Sequence, residues 1–210
     1  MVEDMGMQSE LWLDDLAFEL WLRGEDAAYP CFDGKAFFAN DHALKAGATI
    51  DNLFTSMSCT KSNVAAVMAA MGGWVGEDGR SLRVRPNRLV VPPALEEEGL
   101  AIVGSDILAR VFGSNTAAAG ESNTMKGRLE LKVYPELAAA AGGSDTDWYL
   151  QDTTRATKPV TLVERKAPKI TFKGEDDDDN VFWDDEVVFG VKARGAAGWG
   201  PYWLAAKGKA

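Results

Sequence analysis

NRLVVPPALEEEGLAIVGSDILARVF, residues 87–112, joins a short apolar run to two stretches with helical punctuation, and its reading decides how the neighbouring segments are placed. Residues 88–91 read as a buried strand. Pro92 and Pro93 cannot donate to a sheet, but the fixed φ of proline suits a first helical turn, so the strand stops there and a helix begins. Glu96, Glu97 and Glu98 fall in that first turn, where negative charge faces the positive end of the helix dipole. Leu95 and Ile102, seven apart, mark the side that rests on the strand. Ser105 then predicts the cap of a second, short helix carrying Ile107, Leu108, Val111 and Phe112, ended by Gly113.

Working outward, residues 113–126 are rich in Gly, Ser, Asn and Thr and show no periodicity. They predict a loop long enough to be functional or mobile. RLELKVY (128–134) alternates Leu129, Leu131 and Val133 with charges, the pattern of a strand with one wet face. Strands are also predicted over 148–151, 160–163 and 169–173, the last written KITFK, and over 186–194. The acidic run 175–179 and Asn180 read as a solvated hairpin loop, since calcium-binding DxDxDG order is lacking. The tail GAAGWGPYWLAAKGKA suggests aromatic residues packing back on a sheet, with Lys207 and Lys209 in solvent.

Upstream, residues 81–85 alternate Leu82 and Val84 with arginines and predict a half-buried strand. Residues 60–71 place Val64, Val67, Met68 and Met71 at i, i+3, i+4 and i+7, an amphipathic helix ended by Gly72-Gly73. Met57, Met68 and Met71 read as core filling, because thioether metal ligands need other soft donors. Asp33-Gly34 between aromatic residues is a hairpin signal, with Cys31 and Phe32 entering and residues 36–38 leaving. Residues 9–23 form a helix with a narrow polar stripe, so that Trp12, Leu13, Leu16, Phe18, Leu20 and Trp21 need cover on most sides, by this domain or by a neighbour. Ser9 is its expected cap and Gly24 its stop. The expected core is Leu13, Leu16, Leu20, Val64, Val67, Met68, Leu89, Val91 and Leu95.

The order of elements is α+β, without βαβ repetition. At 210 residues and 46% hydrophobic, the chain can bury a substantial core as one large domain or two small ones. The balance of 32 acidic and 22 basic residues gives a net charge of −10, which disfavours nucleic-acid and anionic-lipid partners. Cys31 and Cys59 form neither a disulfide framework nor a zinc motif. No signal peptide and no run of about 18 apolar residues is present, so no membrane partner is expected. His42, the single histidine, lies beside Asp41 and eleven positions after Cys31, which permits a thiol-nucleophile hypothesis without any accompanying hydrolase motif. GxxxxGK, HExxH, GxSxG and GxGxxG are all missing, so no catalytic, cofactor-binding or metal residue is assigned.

Six pieces in order resemble the major head subunit of Mu-like phages and prophages, the T capsid protein family. They are CFDGKAFFANDH with Asn52-Leu53 after it, PNRLVVPPALE, KGRLELKVYPEL, DWYL, VERKAP, and VFWDDEVVFGVKAR with its glycine and tryptophan tail, spanning residues 29–206. The resemblance implies the Hong Kong 97-type capsid fold, with peripheral and axial domains and a spine helix. It implies that residues 1–45 hold the end of the spine helix and the start of the peripheral sheet. Residues 46–145 would be mainly axial, and 146–210 mainly strands returning to the peripheral and axial core. Most of the N-terminal arm and the extended hairpin of such subunits is expected to be lacking from this chain.

The resemblance further implies a non-enzymatic protein without cofactors that assembles with copies of itself, as pentamers and hexamers, into the icosahedral shell around phage DNA. Scaffold, portal and decoration proteins are implied partners, and the place is the virion, assembled in the host bacterial cytoplasm. Subunit-contact candidates are Trp12 and Trp21 on the helix, and Asn115, Glu121 and Lys126 in the 113–126 loop, which would lie near a symmetry axis. Two other classes compete: a non-catalytic α+β binding module presenting the 113–126 loop or the 175–179 run, and a cysteine hydrolase using Cys31, His42 and Asp41.

Overall fold

The computed structural model describes residues 2–44, 47, 49–111, 118–174 and 187–210. They divide into two compact units, one of Met1–Trp21 with Val160–Gly198 and the other of Leu22–Pro159 with Trp199–Ala210.

The larger unit is built on a five-stranded mixed sheet. In chain order it contains β1 (His42–Ala43), β2 (Thr49–Ile50), β3 (Leu53–Phe54), α2 (Lys61–Gly73), β4 (Arg88–Val91), α3 (Glu96–Gly104), β5 (Ile107–Val111), β6 (Ala118–Ser122), β7 (Glu130–Val133), β8 (Trp148–Gln151) and β11 (Ala205–Gly208). The smaller unit holds α1 (Val2–Leu22) and most of the strand pair β9 (Val160–Lys173) and β10 (Val188–Trp199). The mixed sheet runs β3-β11-β8-β4-β7, and two short pairs, β1-β2 and β5-β6, stand apart from it.

The opening stretch explains the centre of this sheet. Leu89, Val90 and Val91 of β4 are all buried, with β7 parallel on one side and β8 antiparallel on the other. Pro92 is extended and ends the ladder, a 3-10 turn spans Pro93–Leu95, and α3 begins at Glu96 with three glutamates in its first turn. Gly99 stands in the middle of α3 because the helix lies on β7: a Cβ there would come within 2.7 Å of the Leu131 side chain. On α2, Thr60 caps the first turn by accepting the Asn63 N–H at 3.3 Å, and Val64, Val67 and Met71 are buried. That face packs on β8 and β11.

The last four residues of the ladder come from the tail. After a 3-10 turn at Tyr202–Leu204, β11 inserts between β3, to which it is parallel, and β8, to which it is antiparallel. Gly208 lets the backbone cross the indole of Trp148, where a Cβ would sit 2.2 Å from the ring. Lys207 is therefore not in solvent as its sequence context suggested. It is 8% exposed, and its Nζ lies 2.6 Å from both Glu25 Oε1 and Asp147 Oδ2. Burial opposes its charge, but Tyr149 and the two carboxylates more than offset this and raise its pKa.

Several expectations are corrected. The Ser105-capped helix is instead strand β5, because Ile107 to Val111 pairs antiparallel with Ala118 to Ser122 in the region read as a loop. An apolar run of that length fits strand or helix equally by spacing, and the cross-strand partner decides. The alternating run 81–85 makes one bridge, Val75 to Ser81, and no strand. Arg83 there has φ 52°, in the left-handed region, and the Arg85 N–H goes to the Asp152 carboxylate at 3.0 Å instead of a ladder partner. Asp33-Gly34 does turn the chain, with Gly34 at φ 81°, but no strands flank it.

Residues 160–163 and 169–173 belong to one strand, β9, and the strand expected over 186–194 is β10, which runs to Trp199. Helix α1 passes through Ser9 and starts at Val2. Of the expected core, Leu20, Val64, Val67, Leu89 and Val91 are buried, whereas Leu13, Leu16, Met68 and Leu95 are only half-buried. The 175–179 run lies outside the described residues, as do Phe112 and Asn115.

Candidate functional site: assembly surfaces

The thiol-nucleophile hypothesis fails on its own groups. His42 is fully buried, its Nδ1 lies 2.5 Å from Asp33 Oδ2, its Nε2 lies 3.2 Å from the Phe37 carbonyl oxygen, and its ring stacks on Tyr202 at 3.9 Å. Both ring nitrogens thus face oxygen acceptors, and neither is directed at a thiol. Cys31 donates to the Gly200 carbonyl at 3.6 Å, and burial, with Asp33 adding to it, pushes its thiol up to about 11. Such a thiol stays protonated and inert near neutral pH. Asp41 pairs with Lys35 instead. Cys59, pushed up to about 12 by burial, is equally unreactive.

The same neighbourhood is a structural latch. Asn52 is fully buried and donates from Nδ2 to the carbonyls of Phe37 at 2.8 Å, Tyr202 at 3.0 Å and Ala205 at 3.3 Å, while its Oδ1 accepts the Ala39 N–H at 2.9 Å. One side chain thereby fastens the tail to the 37–39 segment. Trp199 adds to this by stacking on Phe37 at 4.2 Å and donating Nε1–H to the Tyr29 carbonyl at 2.9 Å.

The β5-β6 pair is held at its base. Helix α3 ends with carbonyls that lack intrahelical donors. Asn123 supplies them: its Nδ2 donates to the carbonyls of Ile102 at 2.8 Å and Ser105 at 2.9 Å, and its Oδ1 accepts the Met125 N–H at 3.0 Å. The Gly127 N–H takes the Val103 carbonyl at 3.1 Å. The strands are thus anchored where they leave α3.

In the smaller unit, Gly195 of β10 leaves room for α1, since a Cβ there would meet Trp12 at 3.0 Å and Leu13 at 3.2 Å. Elsewhere, among the described residues of the smaller unit, the β9-β10 ribbon carries exposed apolar side chains. Val163 is 62% and Phe172 54% exposed, and Ile170, Val187, Val188 and Phe189 are exposed too. Its charges are Arg165, Lys166, Lys169, Lys173, Lys192 and Arg194 against Glu164, a basic surface on an acidic chain. A two-stranded ribbon is marginal alone in water, so an apolar surface of this kind calls for a cover.

Four of the five contact candidates fall on described residues, two in each unit. Trp12, on α1, is half-buried beside Gly195 of the ribbon, and Trp21 is 6% exposed, so little of its ring is open to a neighbour. Glu121 lies on β6 at the register position opposite Leu108. Lys126 is half-exposed and pairs with Asp106. The residues that matter most to the architecture, Asn52, Asn123 and Lys207, are given no structural role by sequence reasoning; Lys207 stands as a lone polar side chain in LAAKG, whereas Asn52 and Asn123 have polar neighbours and carry no such signal. Among the described residues no group of three side chains suited to a metal ion occurs, and no described helix is long and apolar enough to cross a membrane.

A mixed sheet with two helices on it, a separate strand pair and, in the smaller unit, a ribbon with exposed apolar side chains define a subunit with surfaces suited to contact. Comparison with known proteins gives the class its family. The family model for the Mu-like prophage major head subunit gpT matches residues 1–58, 53–137 and 136–210, and the chain belongs to that family. The major capsid protein of Escherichia phage Mu is 43% identical over 35% of this chain and 28% of its own length. The major head subunit of the Mu-like prophage FluMu of Haemophilus influenzae is 40% identical over 30% of this chain and 21% of its own. The matched stretches thus span less than a third of these relatives. A chain of the bacteriophage JBD30 procapsid aligns with 97% of this chain and 42% of its own length at TM-score 0.44 and 23% identity. One from the JBD30 capsid aligns with 64% and 66% at TM-score 0.49 and 20% identity.

Proposed function

We propose that the chain is a major head subunit that assembles with copies of itself, as pentamers and hexamers, into the icosahedral shell enclosing phage DNA, by a structural and not an enzymatic role. Family membership supports the reading, and the structural observation that carries it is the uncovered β9-β10 ribbon. A shell built from many copies multiplies modest contacts by symmetry, and each large apolar side chain buried at a contact contributes about 1.5–3 kcal/mol. The Hong Kong 97-type arrangement then makes the smaller unit peripheral and much of the larger one axial, with β5-β6 reaching toward a five-fold or six-fold axis. Asn115, Glu121 and Lys126 would meet neighbours there, with the half-buried Trp12 contributing on the peripheral side and the buried Trp21 left to support α1. The virion is its place, the host cytoplasm its site of assembly, and scaffold, portal and decoration proteins its further partners.

Negative-stain microscopy with sedimentation velocity, across ionic strengths, tests this on the purified chain. Rings, capsomer-sized particles or shells are expected, favoured at high salt by apolar contacts. A strict monomer at every salt and protein concentration overturns the reading.

A further inference from the structure

In the larger unit, a groove of about 1070 Å³ lies between α2 and the 81–87 segment, lined among others by Met68, Val84 and Met125 and by Arg83, Arg85 and Arg128. Val84 and Met125 are buried, Met68 is half-buried, and the three arginines are exposed. The groove therefore has an apolar floor and a cationic rim. Nearby carboxylates are engaged elsewhere. Asp152 accepts the Arg85 backbone N–H at 3.0 Å and faces Arg155 at 3.6 Å, and Glu130 takes Arg88 at 2.8 Å. Among the described residues, none of the three rim guanidiniums forms an ion pair.

The rim is also held in place. Arg83 keeps φ 52°, with its N–H on Ser81 Oγ at 3.1 Å and its carbonyl accepting from Arg155 at 2.9 Å. Left-handed backbone at a non-glycine residue is uncommon and persists where its surroundings over-determine it. A volume at or above the roughly 300–1,000 Å³ of small-molecule sites suits a peptide better than a single anion.

We propose that this groove docks the acidic 175–186 stretch of a second copy of the chain. That stretch reads EDDDDNVFWDDE, with eight carboxylates and no basic residue, and its centre is Val181, Phe182 and Trp183. Its carboxylates match the cationic rim and its aromatic centre matches the apolar floor. Without those eight carboxylates the chain's charge of −10 would be −2, so the stretch holds most of the net charge that the groove can compensate. A phosphate backbone offers the anions without the apolar centre that fills the floor. This inference rests on the shell reading, in which copies meet.

The test uses the full chain and a fluorescent synthetic peptide of residues 175–186, read by anisotropy. Saturable binding is expected, weakening roughly tenfold between about 50 and about 300 mM salt. Arg83→Glu with Arg128→Glu should weaken it at least about tenfold, and a peptide with its acids replaced by lysine should bind that variant and not the parent. Peptide substitutions Phe182→Ser and Trp183→Ser should also weaken binding. Melting curves of the variants, whose changes lie on exposed side chains, report intact folding. Binding indifferent to the arginine changes overturns the proposal, as does preference for a 12-mer oligodeoxynucleotide over the peptide. Shells that still form from Arg83→Glu/Arg128→Glu chains, with no peptide binding by the parent, sink the groove and leave the shell reading standing. Peptide binding by a chain that never assembles does the reverse.

Discussion

β11 and the β9-β10 ribbon carry the same kinds of residue to opposite ends. β11 is four residues long, AAKG, entirely buried, and places its lysine between two carboxylates. The ribbon is far longer, alternates Val, Ile and Phe with lysines, and is exposed along most of its length. Length and hydrophobicity therefore do not decide burial here; the number of paired neighbours does. β11 has a strand on each side, whereas β9 and β10 pair only with each other among the described residues. The sheet's strands are flanked within the chain, and the ribbon's apolar side chains stay exposed among the described residues.

The largest effect that can break this contrast is at Lys207. Lys207→Met removes the cation and leaves Asp147, 3% exposed, without its ion-pair partner, while Glu25 keeps Lys209 at 3.1 Å. Breaking a buried pair in this way costs about 3–5 kcal/mol, readable in urea unfolding. The pH profile adds a sign. Burial opposes the charge on Glu25, but hydrogen bonds and attraction from Lys207 and Lys209 lower its pKa below 4.5. Its contribution is present above pH 4.5 and lost as pH falls through the folded value. Lys207, raised above 10.5, contributes below that pH and loses its share as pH rises through the folded value. Parent stability should thus decline at both ends, and Lys207→Met should flatten both limbs. An unaltered profile would mean that the lysine is solvated.

Asn52→Ala comes next. It leaves the Phe37, Tyr202 and Ala205 carbonyls and the Ala39 N–H short of a partner in a buried site. A loss near the top of the about 1–3 kcal/mol range is expected, with faster amide exchange in β11 before the rest of the sheet. Uniform exchange would show that the tail is fixed by Trp199 and the aromatic stacking instead. Asn123→Ala should cost less, about 1 kcal/mol, and act locally on the end of α3 and the β5-β6 amides.

What the sequence disclosed follows the same division. β4, its proline stop, the glutamate-rich start of α3 and the Thr60-capped α2 are legible because local propensity and burial agree there. β5 was misread because ILARV fits two periods and only its partner, Ala118 to Ser122, selects the strand. The 81–85 run was misread because alternation predicts a strand only if an edge is available, and Asp152 takes the N–H that such an edge would use. β11 was invisible: AAKG has no strand propensity and is a strand solely because β3 and β8 flank it. The family resemblance came from six short pieces and was legible throughout. The assembly surfaces were not, since exposure of the ribbon depends on what fails to cover it.

The smallest expected effect on the isolated chain sharpens the comparison most. Val163→Ser with Phe172→Ser removes two of the ribbon's large exposed side chains, at 62% and 54% exposure. Substitutions at such positions usually stay within about 0.5 kcal/mol, because little area is withdrawn from water on folding. Phe172 does touch Phe189, with ring centroids 5.1 Å apart, and losing that pair sets the upper end of the expected change. The same two substitutions should nonetheless suppress ring or shell formation, since in an assembly these side chains are the ones withdrawn from water. Sedimentation and unfolding of the same preparation separate the two outcomes. A stability loss of several kcal/mol would mean that the ribbon is buried within the chain in solution, and unchanged assembly would mean that copies meet through other surfaces.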